Sequence, residues 1–427
     1  MRVYVESYGC SQNQGEGAAI ARALADGGHD LVPLPDGADV GVLVTCAVIG
    51  PTEARMARRW RWISDRIPRV VVTGCLVPLR TSILEGEGRA RTTFVPIREQ
   101  PRIPGLLAEW SETTRPAEVL GRSRPSPPVP HPPVIEEVVI AQGCTSACTY
   151  CFSRLARGRL ESVTAREIVR RAEAAAARGV VELRLTSLDT AAWGIDRGPT
   201  ERLPDLLDAL ARVPGDFSVR IGMMSPQTLA PTLDRYLEAL APDRFYKFLH
   251  LPVQSGSNRI LAAMRRGYPV AEFRRQVALA RARFPGLTLS TDVIVGFPGE
   301  TEEDHRETEE LLASVEPEIV NVTRYSPRPG TPASHLGPVG PRFAKRRSRS
   351  LAELRQRLAR NRLERWIGYF GPARVVEHGP GKSSVARLPN YLPVVLEDRP
   401  PLGSTVGVRV EGARSTYLLG RAERAAF

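Results

Sequence analysis

The stretch GCTSACTYCF, from Gly143 to Phe152, holds three of the six cysteines of the 427-residue chain. Cys144, Cys148 and Cys151 have the spacing C-x3-C-x2-C and directly follow an apolar run that predicts a β-strand. Three thiolates on one loop can hold three corners of a cubic 4Fe-4S cluster, because cysteine is the usual ligand of such clusters. Zinc is the alternative, but structural zinc usually has four ligands at paired short spacings, and no fourth Cys or His lies close by in the sequence.

Length and composition indicate a globular protein of two or three domains. Hydrophobic residues make up 42% of the chain and charged residues 25%, which are ordinary globular values. No apolar run is long enough to cross a bilayer, and the N-terminal MRVYVESYGC is typical of a strand rather than of a signal peptide. We therefore expect a soluble, cytoplasmic protein, without membrane contact, whose thiols stay reduced and bind a ligand.

The net charge of +12 favours a nucleic-acid partner, because Lys and Arg attract phosphates and release their counterions. Only three of the basic residues are lysines, however, at Lys247, Lys345 and Lys382. The excess is therefore arginine, which codon usage in a GC-rich genome can produce alone. Charge gives supporting evidence only.

The N-terminal third repeats one pattern: an apolar run, then a cysteine, then an amphipathic helical segment. VYVESYGC ends at Cys10, VGVLVTC ends at Cys46 and RVVVTGC ends at Cys75. Alternating strands and helices predict a parallel sheet, in which the carboxyl ends of the strands share one edge. The three cysteines are therefore predicted to converge.

A second alternation follows GRSRPSPPVPHPP, which has six prolines in thirteen residues and predicts a stiff linker. Six apolar runs beyond the linker predict strands separated by helices. They cover residues 135–143, 181–187, 217–223, 245–253, 287–296 and 318–325. Six such units predict a (β/α)6 barrel of parallel strands, open or closed, with its active site at the carboxyl ends of the strands.

The C-terminal part predicts two further elements. AKRRSRSLAELRQRLARNRLERWIG predicts a long basic helix that leads away from the barrel. After it, short alternating strands with Gly and Pro turns predict a small antiparallel β-barrel. The chain is thus predicted to be an α/β multidomain protein with an N-terminal sheet domain (1–115), a linker (116–133), a partial barrel (134–365) and a small β-barrel (366–427).

CTSACTYC, placed after the first strand of a six-unit barrel, resembles the signature of the radical S-adenosylmethionine (SAM) enzymes. YGCSQN, TCAVIGPTEARM and VTGCLVP resemble the cysteine segments of the methylthiotransferase N-terminal domain. CTYCFSRLARG, HLPVQSGSNRILAAMRRGY, TDVIVGFPGETEED and RYSPRPGTPA resemble the radical SAM domain of the same family, and the small C-terminal barrel is similar to its RNA-binding TRAM domain. LARG, TSLDTAAWGID and LPVQSGS are most similar to the archaeal and eukaryotic branch, which acts on threonylcarbamoyladenosine in tRNA.

The resemblance implies two 4Fe-4S clusters with three cysteine ligands each. Cys144, Cys148 and Cys151 would hold the cluster whose open iron binds and cleaves SAM, and the three N-terminal cysteines would hold an auxiliary cluster. It implies methylthiolation of carbon 2 of threonylcarbamoyladenosine beside the tRNA anticodon, using two SAM molecules. We expect a monomer that needs an unidentified electron donor and an unidentified sulfur donor.

Two kinds of alternative stay open. Within the same enzyme class, the target could be isopentenyladenosine in tRNA or an aspartate of a ribosomal protein. In another class, the chain could be a non-catalytic iron-sulfur protein that binds RNA, although two cysteine triplets without a fourth ligand argue against purely structural clusters.

Four further residues are candidate cofactor contacts. By analogy with the family, Tyr150 would lie against the adenine of SAM, and core packing is the alternative. Ser187 and Asp189, just past the second barrel strand, could bind the methionine part of SAM or could simply cap a turn. Gln254, together with His250, lies at the end of the fourth strand, where a barrel gathers its active-site groups.

Two departures from the family pattern concern the auxiliary cysteines. Val44 stands where the family usually has Asn, and Gly15, Glu16 and Gly17 replace an acidic and serine pair. Neither change removes a cysteine. Both predict altered hydrogen bonding around the auxiliary site.

Overall fold

The computed structural model describes residues 1–47, 50–84, 90–113 and 134–423. The predicted linker, 116–133, lies outside the described residues. The described residues group into two compact units, of which the first takes its residues from 1–131, 151–159 and 328–330 and the second from the rest. The domain ranges read from the sequence stay predictions.

The first unit contains one five-stranded parallel sheet with the strand order β2-β1-β3-β4-β5. Its strands are β1 (Arg2–Ser7), β2 (Asp30–Leu31), β3 (Val40–Thr45), β4 (Arg69–Gly74) and β5 (Arg91–Phe94). Its helices are α1 (Ser11–Asp26), α2 (Gly50–Ser64), α3 (Val77–Arg80), α4 (Ile103–Thr113) and α5 (Phe152–Arg157). The parallel sheet predicted for this part of the chain is confirmed.

Strand β3 shows why the apolar runs of this sheet are continuous rather than alternating. Val42 and Val44 pack with Leu24 of α1 in one core, whereas Leu43 packs with Trp60 of α2 in the other. A parallel strand that is covered on both faces needs apolar residues at every position. The sheet edge where β1, β3 and β4 end therefore has a rigid, buried foundation.

The second unit is built on six parallel strands. They are β6 (Ile135–Val139), β9 (Glu182–Thr186), β10 (Ser218–Ile221), β11 (Phe248–His250), β12 (Thr288–Val295) and β13 (Ile319–Arg324), with β7 (Ala141–Gln142) and β8 (Glu161–Ser162) forming a separate short pair. The sheets β10-β9-β6 and β11-β12-β13 meet at a parallel bridge between Val219 and Phe245. Because β6 and β13 are sheet edges, the arrangement is an open six-stranded barrel, as predicted.

The helices of the second unit cover one face of these strands. They are α6 (Ala165–Ala177), α7 (Leu203–Ala211), α8 (Pro226–Leu229), α9 (Leu233–Ala239), α10 (Asn258–Ala263), α11 (Val270–Arg283), α12 (Glu302–Val315) and α13 (Pro341–Glu364). The expectation that the basic helix α13 leads away from the barrel is wrong. Leu351 and Leu358 of α13 are buried in the barrel core with Val320 of β13, because these leucines form an apolar stripe on an otherwise charged helix.

The small C-terminal barrel is closed, with the strand order β14-β15-β16-β18-β17. Its strands are β14 (Phe370–His378), β15 (Ser384–Arg387), β16 (Pro393–Leu396), β17 (Thr405–Ala413) and β18 (Leu418–Glu423). The predicted small barrel is confirmed, but it is not wholly antiparallel, because β16 and β18 pair in parallel. Its likeness to a TRAM domain stays a prediction.

A loop of the small barrel packs against the amino ends of the large-barrel strands. Tyr391 has a φ of 72°, and its ring lies 4.9 Å from the ring of Tyr246 and 5.0 Å from that of Phe248. Its hydroxyl donates to Glu182 at the start of β9 over 3.3 Å. Left-handed backbone at a bulky residue is strained and persists only when its surroundings demand it. The carboxyl ends of the strands, opposite this loop, remain for the chemistry.

Within the described ranges, every helix is too short or too polar to span a membrane.

Replacing Tyr391 with Ala should destabilise the second unit by about 2–4 kcal/mol, because it removes a packed aromatic ring and its hydrogen bond. The midpoint of thermal unfolding, followed by circular dichroism, should fall by several degrees. Tyr417→Ala, in the same small barrel, is the matched control and should shift the midpoint much less. Equal small shifts in both variants would contradict the packing role of Tyr391.

Candidate active site

Two glycines allow the cysteine loops of the first unit to approach one another. A Cβ atom at Gly9 would lie 2.7 Å from Cβ of Cys46, and one at Gly74 would lie 2.3 Å from the carbonyl oxygen of Thr45. Both glycines have positive φ, 111° at Gly9 and 96° at Gly74, which glycine adopts without strain. Each glycine directly precedes a cysteine, so it brings Cys10 or Cys75 against the end of β3.

The Asn13 side chain holds this arrangement together. Its amide nitrogen donates to the carbonyl oxygens of Tyr8, over 2.7 Å, and Thr45, over 2.9 Å. Its Oδ1 atom lies 4.0 Å from Sγ of Cys10 and 3.8 Å from Sγ of Cys75. The predicted convergence of the N-terminal cysteines is thus seen around one buried asparagine.

A buried ion pair lies behind Asn13. The side chains of Arg157 and Glu16 are 0% and 3% exposed, and they are joined by two hydrogen bonds. Arg157 Nη2 also donates to Oδ1 of Asn13 over 2.6 Å. Burial alone would lower the pKa of Arg157, but the neighbouring Cys75 and Glu16 raise that pKa above its ordinary value. The guanidinium therefore carries its charge inside the protein, beside the thiols.

The thiols of this site are the predicted ligands of an auxiliary cluster, and that role stays a prediction. No three Cys, His, Asp or Glu side chains in the described ranges are arranged around one metal-ion position. A lone zinc would need its sulfur ligands about 2.3 Å away. Burial raises the pKa of Cys75 to about 12, although the neighbouring Arg157 guanidinium favours the thiolate.

The loop after β6 carries the second cysteine triplet. Sγ of Cys144 accepts a hydrogen bond from the backbone N–H of Ser146 over 3.3 Å. Nη1 of Arg266 donates to Sγ of Cys148 over 3.5 Å, and the same guanidinium binds the hydroxyl of Ser225. Cys151 directly precedes α5, whose last residue is Arg157. Arg266, from the MRRGY segment, places a positive charge where thiolates form.

Ser187 and Asp189 are both buried beyond the end of β9. The hydroxyl of Ser187 accepts from the Asp189 N–H, and the Asp189 carboxylate accepts from Ser225 N over 3.0 Å and from Thr228 Oγ1 over 2.7 Å. These bonds cap the start of α8. Burial and the nearby Asp189 carboxylate also raise the pKa of Cys144, so Asp189 lies close to the cysteine loop. A direct role in binding SAM stays a prediction for both residues.

Tyr150 packs against an apolar cluster that contains Met264 and Phe297, and its role toward adenine stays a prediction. Gln254 has a φ of 71°, while its backbone bonds to Asp292 and Ile294 of β12. Strained backbone at a non-glycine residue often marks a functional position. Its predicted contact with the cofactor stays a prediction as well.

The inner face of the partial barrel is polar and charged. Along β10, β11 and β12, Val219, Leu249 and Val293 pack into the core under the helices, so the alternate residues point to the other face. His250 Nε2 lies 3.1 Å from Asp292, which also accepts from Asn321 over 2.7 Å. Burial alone would raise the pKa of Asp292, but these two hydrogen bonds hold that pKa below its ordinary value.

Arg220 lies on the same inner face without an ion-pair partner among the described residues. Its guanidinium lies 5.1 Å from the ring centre of Phe248 and 5.7 Å from that of Tyr391. Burial lowers the pKa of Arg220. Its charge also acts on the carboxylates of Glu182 and Asp292.

Comparison with known proteins agrees with this geometry. Residues 138–312 match the Radical SAM superfamily, and residues 2–94 match the uncharacterized protein family UPF0004. Proteins named "Probable threonylcarbamoyladenosine tRNA methylthiotransferase" from Methanothermobacter thermautotrophicus and Pyrococcus horikoshii are 37% and 38% identical, each over 98% of this chain and 99% of their own length. The chain belongs to the family of threonylcarbamoyladenosine tRNA methylthiotransferases. The Xenopus laevis member is 34% identical over 83% of this chain and 65% of its own length.

Solved structures support the same fold. The radical SAM methyltransferase TsrM from Kitasatospora setae has a TM-score of 0.56 at 14% identity, covering 78% of this chain and 76% of that chain. The radical SAM enzyme OxsB, solved with cobalamin and SAM, has a TM-score of 0.50 at 11% identity, covering 83% of this chain and 56% of that chain. Membership of the radical SAM superfamily implies one 4Fe-4S cluster and SAM, and the cysteine loop with Arg266 fits an anionic cluster.

The two departures from the family pattern have structural reasons. Val44 is buried in the core beneath the sheet edge, and Asn13 supplies the amide hydrogen bonds at this edge. A Cβ atom at Gly17 would lie 1.7 Å from the hydroxyl of Ser7, so a larger residue there would require the Ser7 side chain to move. Glu16 pairs with Arg157. The altered hydrogen bonding that these departures predict stays a prediction.

Sequence reasoning noticed the segments of Asn13, Arg157 and Arg266 but gave these residues no role. YGCSQN and LARG were informative only as family signatures, because Glu16 and Arg157 are 141 positions apart. Arg220 carried no sequence signal, since one arginine in a strand is unremarkable in an arginine-rich chain.

In cluster-free protein at pH 8, iodoacetamide should alkylate Cys10 at least about 100-fold faster than Cys75. Each pKa unit above the pH lowers the reactive thiolate fraction tenfold, and burial also blocks Cys75. The rate at Cys75 should still rise beyond pH 10. Peptide mass spectrometry measures both rates, and similar rates at pH 8 would contradict the described burial.

Proposed function

We propose that this protein is a radical SAM enzyme that adds a methylthio group to carbon 2 of N6-threonylcarbamoyladenosine in tRNA. We further propose that Cys10, Cys46 and Cys75 hold an auxiliary 4Fe-4S cluster. The observation that carries the proposal is the gathering of these cysteines at one sheet edge, in a chain that holds a second triplet for the SAM-cleaving cluster. Each triplet leaves one iron without a cysteine, which suits a cluster that must bind a further ligand.

When bound, the SAM-cleaving cluster and one SAM would supply the radical that removes hydrogen from carbon 2, a second SAM would supply the methyl group, and the auxiliary cluster would carry sulfur from an unidentified donor. The protein's own residues bind, orient and shield these groups. Arg266 neutralises thiolate charge at Cys148, and Asp189 fixes the start of α8 next to the cysteine loop. Gln254 and Tyr150 are the proposed SAM contacts.

The inner face of the barrel favours threonylcarbamoyladenosine over an isopentenylated adenosine. A threonylcarbamoyl group ends in a carboxylate and a hydroxyl, whereas an isopentenyl group is wholly apolar. Arg220 offers a cation to the carboxylate, and the His250–Asp292–Asn321 chain offers polar groups to the hydroxyl. An apolar tail on this face would leave the buried Nε of Arg220 without a hydrogen-bond partner, which costs about 1–3 kcal/mol.

The cysteine triplets should have separable roles. Replacing Cys144, Cys148 and Cys151 together with Ala should abolish 5′-deoxyadenosine formation from SAM under anaerobic, dithionite-reduced conditions. Replacing Cys10, Cys46 and Cys75 together should leave that cleavage and abolish methylthiolation. Mass spectrometry of nucleosides from a deletion strain expressing each variant reads the second outcome. Unchanged methylthio-threonylcarbamoyladenosine in the deletion strain itself would contradict the proposed function.

Loss of SAM cleavage in the wild-type, fully reconstituted protein would instead favour a non-catalytic RNA-binding role. A methylthiolated isopentenyladenosine or ribosomal protein in place of the expected nucleoside would indicate another target. These outcomes are separated by the same nucleoside and protein mass spectra.

Arg220→Met should lower kcat/KM for tRNA carrying threonylcarbamoyladenosine by about tenfold or more, the value of a hydrogen bond to a charged group. Arg220→Lys should recover part of the loss, mainly through KM. Arg212→Met, on an exposed residue beyond α7, is the matched control and should leave both constants unchanged. An Arg220→Met enzyme with wild-type kcat/KM would show that this cation does not read the substrate.

A further inference from the structure

The carboxyl-end edge of the first sheet contains a charged network that the proposed chemistry does not yet use. Arg157 joins the Glu16 carboxylate to Oδ1 of Asn13, and that oxygen lies within 4.0 Å of the thiols of Cys10 and Cys75. Gln100 donates to Glu16 over 3.5 Å and to Thr73 Oγ1 over 3.2 Å, which ties the carboxylate to the end of β4. The network is therefore fixed from several elements.

The buried ion pair between Arg157 and Glu16 has no energetic justification if the cysteines only pack. Taking a guanidinium and a carboxylate out of water costs several kcal/mol per ion, and a plain apolar contact would serve packing equally well. A cluster held by three thiolates brings negative charge to the same place. A fixed cation beside it would then have an electrostatic effect, because little water is present to screen it.

We propose that Arg157 is a positioning residue for the auxiliary cluster: its buried guanidinium holds Asn13 between two ligand cysteines and supplies positive charge that stabilises the reduced cluster. Glu16 orients the guanidinium and offsets part of that charge. This inference rests on the auxiliary cluster of the proposed function. The redox potential of that cluster is then set by Arg157, a residue of α5, the helix that begins just after Cys151.

The position of Arg157 gives this arrangement a second consequence. Cys151 and Arg157 flank α5, and six helical residues rise about 9 Å. A ligand of the SAM-cleaving cluster and a residue of the auxiliary site are therefore attached to the same short, rigid element.

The test uses full-length protein in which Cys144, Cys148 and Cys151 are all replaced with Ala, so that only the auxiliary cluster can form. Iron and sulfide are counted after anaerobic reconstitution, and the midpoint potential is measured by redox titration with electron paramagnetic resonance. Arg157→Met should lower the potential because it removes a positive charge, and Glu16→Gln should raise it because it removes a negative one. Arg157→Lys should restore much of the wild-type potential.

Arg157→Met should also release iron to a chelator about tenfold faster or more, as expected when a partner of a metal ligand is lost. Arg159→Gln is the matched control, because Arg159 is an exposed arginine two residues further along. It should change neither the potential nor the iron release. Circular dichroism of each variant checks folding, and if Arg157→Met does not fold, the sign of the Glu16→Gln shift still decides.

The outcomes separate the two proposals. A parent protein that binds no iron would remove the auxiliary cluster, and this inference with it. A parent protein with a cluster whose potential is the same in the Arg157→Met and Glu16→Gln variants, or moves in the same direction in both, would overturn the electrostatic role alone. Opposite shifts are the expected result, which a merely structural network would not give.

Discussion

The buried ion pair between Arg157 and Glu16 is the constraint on which the cysteine edge of the first unit depends. Both side chains are almost fully buried, so each charge is tolerable only while the other remains in place. The pair satisfies this condition with hydrogen bonds to Asn13 and Gln100. Asn13 in turn fixes the loops that carry the cysteines. The positions of the thiols therefore follow from electrostatics as much as from the strand order.

Successive side chains along the barrel strands of the second unit alternate between an apolar face and a charged face. One face of each strand is apolar and packs under the helices, while the other carries Arg220, His250 and Asp292. The small barrel lies against the amino ends through Tyr391, which contacts Glu182 and the rings near Arg220. Charged groups thus line the inner face, whose open end is the one where the cysteine loop leaves β6.

The sequence predicted what depends on local pattern and strand order. The six barrel strands and the convergence of Cys10, Cys46 and Cys75 follow from apolar runs and from the geometry of parallel sheets. The packing of α13 against the barrel was not predictable, because its apolar stripe is short and most of its residues are polar or charged. The contact of Arg157 with Glu16 could not be predicted either, because the two residues are 141 positions apart and no local sequence pattern pairs them.

Several arginines of the chain are buried in ion pairs and do not lie on the surface. Arg157, Arg328 and Arg347 are only 1%, 3% and 4% exposed, and each pairs with a glutamate. A guanidinium suits these buried positions better than an ammonium group, because it stays charged and offers several donors in a fixed plane. A part of the positive charge therefore serves internal networks and is not available to phosphates at the surface. For this protein, recognition of tRNA must depend on where the exposed arginines lie rather than on the net charge of +12.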